Sequence, residues 1–365
     1  MKKRAYILTF HFVTNYGAFL QCFALSKILK KYYDEVIVID YRPSRMLDGE
    51  KLINTYCFKS IIDSFFSLLS FLSRKFNFYK ARHIYLEQTD TCFFNSDFLK
   101  LKDGDIYIGS DQVWNFDITD RDMTFLGNFI NHNFNNVFSY AASIGYSSIS
   151  KSDLKLIGKY INNFDKISVR ENDAKIIISS IYKDKIDIVL DPTLLFTMND
   201  WIQFFDLHYK KRSNYILLYS LTSDSKVINI AKKLSLKYNM PIIEVAGQRR
   251  SLKRIRSHKV YYNFGPKKFL ELLLGASFVV TDSFHATVFS ILFEKNFLTT
   301  KHKTRGSRLE VLLSNLNLLN RYIDDFDDSL LSSNIDYKDV SERLDLFRLK
   351  SIKYIEECVN YEKDS

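Results

Sequence analysis

Short runs of β-branched and aromatic residues that end in Gly, Ser, Asp or His recur along the chain, each followed by a stretch of helical periodicity. That alternation predicts parallel α/β architecture. In the first unit a strand is predicted over 6–10, a loop over 11–17, an amphipathic helix over 18–31 and a second strand over 35–40. Further strands are predicted over 105–108, 136–142, 166–170 and 186–190. After Asp191-Pro192 the pattern restarts, with strands over 215–220, 241–245, 278–281 and 296–300. The domain boundary is therefore placed near Asp191, giving one lobe over 1–190 and a second over 191–330. Leu344, Phe347, Ile352, Ile355 and Val359 then recur at near-helical spacing, so 331–365 is expected to form a long helix packing back on the body.

At 365 residues the chain exceeds the size at which one hydrophobic core usually stops growing, which fits two domains with a cleft between them. Cys22, Cys57, Cys92 and Cys358 lie far apart with no CxxC pair, so neither a disulfide framework nor a zinc site is expected. The basic start followed by an apolar stretch mimics a signal peptide, but the stretch is short and runs into His11, Thr14 and Asn15, so it reads as a first strand. No apolar run approaches the ~18 residues of a membrane span, and a cytoplasmic location is expected.

The formal charge of +10 points to anionic partners or to a lysine-rich solvated surface. Nucleic acid is not expected, because no helix-turn-helix, RNA-recognition or zinc pattern accompanies the charge. Residues 60–72 are rich in Phe, Leu and Ile and are flanked by Lys59, Arg74 and Lys75. That mixture suits a helix at the membrane surface and equally a helix buried between lobes. The run Arg249, Arg250, Lys253, Arg254, Arg256 and Lys259 reads as a solvated face or as an anion patch.

In open parallel sheets, ligands bind beyond the carboxyl ends of the strands, so the residues just after each strand are the informative ones. Asn15, Tyr16 and Gly17 open the first helix, where backbone N–H groups could face an anion. Gly17 stands alone there, so a dinucleotide fingerprint is missing and Asp40 gains no ribose role. The string Gly109-Ser110-Asp111-Gln112-Val113-Trp114-Asn115 brings together the acidic, amide and aromatic groups that sugars use. In it Trp114 is either a sugar-stacking ring or a core aromatic, and Asp111 either a polar contact or a helix cap. Arg170 ends a strand, where a guanidinium can grip a carboxylate or phosphate through two bonds, or form an internal ion pair. Asp282-Ser283-Phe284-His285 joins a strand to a helix and sets an imidazole at the helix's positive end. Lys301, His302, Lys303 and Arg305 follow the next strand, and Ser307 to Glu310 reads as a capping box. No His, Asp or Glu cluster has metal-ligand spacing, so no divalent metal is expected.

The strings TNYGAFLQCFAL, VIDYRP, GSDQVWN, SYAASIG, SVREN, DPTLL and TDSFHATVFSILF occur in this order, and the chain carrying them resembles the polysaccharide pyruvyl transferase family. The resemblance runs from Thr14 to about Asn320, with no motif between Lys51 and Asp103. It implies two Rossmann-like lobes in a glycosyltransferase-B-like arrangement, with phosphoenolpyruvate as donor and a saccharide, free or lipid-linked, as acceptor. It associates Arg170 and His285 with donor binding and catalysis, and expects a further basic residue that Lys301, Lys303 and Arg305 compete for. Many members have Gly where this chain has Ala286.

On this reading Arg170, Ser283, Phe284, His285 and the basic loop bind the donor, while Asn15, Tyr16, Gly17, Asp111, Gln112 and Trp114 meet the acceptor. His285 contacts phosphate or acts as general acid, and Asp111 or Glu171 serves as the base for the attacking hydroxyl. The first lobe is then the acceptor side and the second the donor side. No cofactor is implied beyond the co-substrate, and peripheral contact with the inner face of a membrane is compatible with the basic-flanked apolar segment. The runner-up is a nucleotide-sugar glycosyltransferase on the same architecture, since fold alone does not choose the reaction.

Overall fold

The computed structural model describes residues 2–47, 61–129, 132–209, 214–221, 224–246, 259–300, 307–324 and 334–362. The first sheet contains β1 (Arg4–Leu8), β2 (Glu35–Val38), β3 (Gly104–Asp111), β4 (Phe134–Ala142), β5 (Ile167–Val169) and β6 (Ile186–Ile188). Its order is β2-β1-β3-β4-β5-β6, with the paired strands parallel throughout. Parallel bridges from Val38 to Gln88 and from Tyr41 to Cys92 lay one more stretch of chain beside β2. The strand order therefore reverses between β1 and β3, where Leu8 pairs with Ile108.

The second sheet contains β7 (Ile216–Ser220), β8 (Ile242–Ala246), β9 (Lys259–Tyr261), β10 (Phe278–Thr281), β11 (Asn296–Thr300) and β12 (Tyr322–Ile323), in the order β12-β11-β10-β7-β8-β9. All its pairs are parallel, and its order reverses between β7 and β10. Each lobe is thus a Rossmann-like doubly wound sheet, and the pair form a glycosyltransferase-B-like body. The run ILLYS of β7 and the run FVVT of β10 are buried at every position, as strands covered on both faces require.

Helices α1 (Tyr16–Leu29), α2 (Ser44–Leu47), α3 (Ile61–Tyr85), α4 (Phe116–Thr119), α5 (Lys151–Tyr160) and α6 (Asn172–Ser179) belong to the first half of the chain. Helices α7 (Met198–Phe205), α8 (Ser225–Tyr238), α9 (Pro266–Gly275), α10 (Phe284–Leu292) and α11 (Ser307–Asn315) follow, and α12 (Tyr337–Val359) ends the described fold. In α1 every residue except Lys27 is buried, which is the pattern of a helix enclosed on all sides rather than lying on a surface. It sits between the lobes, with Phe23 packed on Trp201 and Phe205 and with Tyr16 stacked on Phe269 at 4.2 Å.

The last helix returns to the first lobe. Tyr354 donates to Ser139 O at 2.8 Å, Leu190 N donates to Ser351 Oγ at 2.9 Å, and Arg348 donates to the carbonyls of Leu194 and Phe196. These contacts brace the segment on which Asp191 lies.

Several elements differ from the sequence reading. β1 lies two residues earlier than predicted, leaving Thr9 and Phe10 beyond the ladder, and α1 begins at Tyr16 because Asn15 caps it. From Ile61 onward the apolar segment is part of a helix that continues to Tyr85, since nothing between Leu72 and Tyr85 breaks it. Strands β9 and β12 were not anticipated, because at three and two residues they are too short to show a period. The basic run Arg249 to Arg256 lies outside the described residues, and its last member, Lys259, opens β9.

Tyr16 was expected to meet a ligand and is instead part of the lobe junction. Its ring is buried on Phe269 and Phe78, and its hydroxyl donates to Phe264 O at 3.1 Å. Tyr16→Ala should therefore destabilise the chain by about 3–5 kcal/mol, the range for truncating a large buried aromatic. Tyr16→Phe removes only the hydroxyl contact and should cost about 0.5–1.5 kcal/mol. Denaturant unfolding of the two variants gives this ordering, and a Tyr16→Ala protein as stable as the parent would remove Tyr16 from the junction.

Candidate active site

The two points at which strand order reverses face each other, and a cavity of about 250 Å³ lies between them. From the first lobe it is lined by Asn15 at the start of α1 and by Asp111 and Gln112 at the end of β3. From the second it is lined by Leu221 after β7, by Asp282, Ser283, Phe284 and His285 after β10, and by Arg308 on α11. The N-termini of α1 and α10 both open onto it, and their aligned peptide dipoles favour a negatively charged ligand there.

Behind the cavity wall sits Asp191, fully buried and shared by both lobes. Its Oδ2 accepts from Arg170 Nη1 at 2.7 Å and from Ser110 Oγ at 3.1 Å, and lies 3.5 Å from His285 Nε2. Its Oδ1 accepts from the backbone N and hydroxyl of Thr193, at 3.1 and 2.6 Å. Burial alone would raise this carboxyl, but His285, Arg170 and Thr193 together hold it well below the usual carboxylate range. Asp191 is thus an anion that faces the imidazole Nε2 from behind the wall, with Arg170 on its other side.

Arg170 is buried among carboxylates, with Asp111 Oδ1 at 3.6 Å and Glu171 Oε2 at 3.9 Å in addition to Asp191. Burial works against its charge, yet the three acids keep its pKa above the ordinary arginine value. Its guanidinium lies 4.7 Å from the Phe284 ring centroid, and that ring also packs against Arg308 at 5.6 Å. Arg170, expected to grip the donor, faces protein acids and is not among the residues that line the cavity.

Gly17 holds His285 from the other side. A Cβ at this position would fall 2.0 Å from His285 Nδ1, so only glycine lets the first turn of α1 approach the imidazole this closely. The space expected for an acceptor at Gly17 is occupied by the ring. Asn15 lines the cavity, but its side-chain oxygen caps α1 by accepting from Gly17 N and Ala18 N.

Asp111 has a φ of +74°, its Oδ1 accepts from Gln112 N, and it faces the cavity. The helix cap nearby is Asn115, whose side chain accepts from Asp117 N, so the capping role considered for Asp111 belongs to its neighbour. Gly109, two residues before Asp111, has φ +123°, and a Cβ there would meet Tyr140 O at 2.3 Å. Trp114 is fully buried and donates to Phe125 O at 2.9 Å, which makes it a core aromatic without a ring face for a sugar. Glu171 is also buried, and one of its oxygens accepts from Ser143 Oγ and from the backbone of Ile144 and Gly145. Of the two candidate bases, Asp111 alone reaches the cavity.

Ser283 caps α10, placing His285 as that helix's second residue. Lys301, Lys303 and Arg305 lie outside the described residues. Ser307 is the first residue of α11 rather than its cap. Two residues of the site were not selected from the sequence. Asp191 was read only as a boundary marker and part of a family string, although an acid directly after a strand end is itself a signal. Arg308 was passed over inside the supposed capping box. Asp40, set aside as a ribose ligand, is a buried acid that accepts from Arg42 Nε at 2.7 Å and Thr91 Oγ1 at 2.8 Å and pairs with His11 Nε2 at 3.1 Å.

Among the described residues no group of His, Cys, Asp and Glu is arranged to hold a metal ion, and no helix is long and apolar enough to cross a membrane.

The architecture is a pair of Rossmann-like lobes with a cavity between them. S. aureus MnaA, solved with UDP, shares 11% identity at a TM-score of 0.48, covering 100% of this chain and 89% of that one. A putative UDP-N-acetylglucosamine 2-epimerase from Listeria monocytogenes shares 10% at 0.48, covering 98% and 96% of the two chains. Arabidopsis thaliana UGT89C1 with quercetin shares 10% at 0.45, covering 100% and 96%. These are similarities of fold only. No curated protein matches the sequence. The polysaccharide pyruvyl transferase model matches residues 15–303, and the chain belongs to that family.

Asp191→Asn removes the negative charge while nearly keeping the shape, leaving Arg170 short of its closest partner. It should destabilise the protein by about 3–5 kcal/mol at neutral pH. Asp191 titrates lower when folded than in the unfolded chain, where the value is about 3.9. Its contribution is therefore complete above that value and is lost as pH falls below it towards the folded pKa. The stability gap between wild type and Asp191→Asn should be widest at pH 7 and smaller by about 1.3 kcal/mol at pH 3, which lies only roughly one pH unit below the unfolded value. A gap independent of pH would contradict an ionised Asp191.

Proposed function

We propose that the cavity binds phosphoenolpyruvate and transfers its pyruvyl group to hydroxyls of a saccharide, forming a cyclic ketal in the synthesis of a bacterial surface polysaccharide. The observation that carries this reading is His285, held at the cavity wall between Asp191 and Gly17, beside a helix N-terminus and Arg308. The donor is a trianion with a carboxylate and a phosphate, and such a group suits the two helix N-termini and Arg308.

On this reading a protonated His285 delivers its proton to the donor's methylene carbon, and positive character develops at the central carbon. A saccharide hydroxyl adds there while Asp111 accepts its proton. The C–O bond to phosphate then breaks, phosphate leaves with the bonding pair, and a second hydroxyl closes the ketal with loss of its own proton. One donor and one diol give one ketal and one inorganic phosphate. Asp191 orients the imidazole and offers an anion to its protonated form, much as a buried carboxylate supports a histidine acid–base elsewhere. Arg170 acts through Asp191 and Phe284 and is a positioning residue. No step in this scheme calls for a divalent metal.

Isothermal titration with phosphoenolpyruvate against a panel of nucleotide sugars tests the donor. Binding of phosphoenolpyruvate alone is expected, and tight binding of a nucleotide sugar without it would favour glycosyl transfer. His285→Ala should keep the fold and lower acceptor-dependent phosphate release by roughly 10²-fold to 10⁴-fold, the span of a positioned acid. Gly17→Ala should lower turnover as well, by pushing the ring off its position. A His285→Ala protein that melts early yet keeps its activity per folded molecule would make His285 a scaffold residue.

A further inference from the structure

We infer that the outward face of α3 docks on an anionic lipid bilayer. A helix on a protein surface normally turns its polar side to solvent, and α3 does the reverse over its middle turns. Leu69, Leu72, Phe76 and Tyr79 are 46%, 49%, 64% and 49% exposed. Their spacing of three, four and three residues places them on one stripe. The opposite side of the helix is already occupied. Arg74, Phe78, Ala81 and Arg82 are buried at the lobe junction, with Arg74 donating to Thr14 O at 2.8 Å and to Ala246 O at 3.3 Å. The stripe is therefore not a core face left open by the fold.

Charge selects the occupant. From Leu68 to Tyr85 there is no acidic residue, while Lys75 and Lys80 border the stripe, with the Lys75 ammonium 4.6 Å from the Phe71 ring. Leucine and phenylalanine side chains entering the acyl boundary, a tyrosine at headgroup level and lysines reaching phosphates form the pattern of an interfacial helix. A second copy of the chain fits poorly, because a symmetric contact would bring the same lysines together with no acid on the stripe to balance them. Since Arg74 ties α3 to the loop before α1 and to the end of β8, a seated helix would hold the rim of the cavity at a fixed position over the lipid surface. The inference does not depend on which donor the cavity takes.

Co-sedimentation of the full chain with vesicles tests it. The protein should pellet with phosphatidylcholine–phosphatidylglycerol vesicles and stay largely in solution with phosphatidylcholine alone. Leu72→Ser with Phe76→Ser should weaken that partition by about tenfold or more, since both remove apolar side chains from the contact. Lys75→Gln with Lys80→Gln should weaken it at low salt and remove most of its salt dependence. Unchanged melting temperatures of both double variants show that the fold is intact. Equal partition onto neutral and anionic vesicles, or partition indifferent to the apolar substitutions, would overturn the inference. So would a wild-type dimer in sedimentation velocity that Leu72→Ser with Phe76→Ser dissolves, which would assign the face to a second copy.

Discussion

The buried carboxylate of Asp191 is the interaction on which the rest of the site depends. A charge with no exposure to water needs partners on every side, and here they come from four different places in the chain: Ser110 at the end of β3, Arg170 after β5, Thr193 on its own loop, and His285 on α10 in the other lobe. Groups from both lobes thereby meet at one carboxylate, near the points where the strand order of the sheets reverses. The terminal helix braces the same segment through Leu190 N, Leu194 O and Phe196 O, so the position of Asp191 is fixed from outside as well as from within.

That arrangement divides the site into a wall and a lining. Arg170 and Glu171 are in the wall. Arg170 lies between Glu171 and Asp191 there, and Glu171 also secures the loop at Ser143–Gly145. Asp111, His285 and Arg308 are in the lining. Gly17 sets the distance between the two lobes at this place, because its missing side chain is the room the imidazole occupies. A family motif read by residue type alone does not separate wall from lining, and burial does.

The α/β class, the two sheets and most strands were legible because buried parallel strands are written as short apolar runs that stop at Gly, Ser, Asp or His. Strands 278–281 and 296–300 emerged with the observed bounds. The cavity's position was legible too, from the rule that ligands lie beyond strand ends, and it selected Asp111 and His285. What a linear pattern does not show is which way a side chain faces. Tyr16 and Trp114 are aromatic residues in polar strings, and packing turned both into the core. Arg170 ends a strand as expected, yet three acids distant in sequence or adjacent to it claim its guanidinium. Asp191 gave a signal that was read as punctuation, since its partners converge only in three dimensions.

The proposed site requires Asp191 and His285 to act as one unit across the two lobes. A double-mutant cycle on Asp191→Asn and His285→Gln, read as kcat/KM for acceptor-dependent phosphate release, measures that coupling directly. Strong non-additivity is expected, with the second substitution costing little once the first is made and a coupling of about 1.4 kcal/mol or more. Effects that add to within about 0.3–0.5 kcal/mol would show that the carboxylate and the imidazole work independently, and would contradict it.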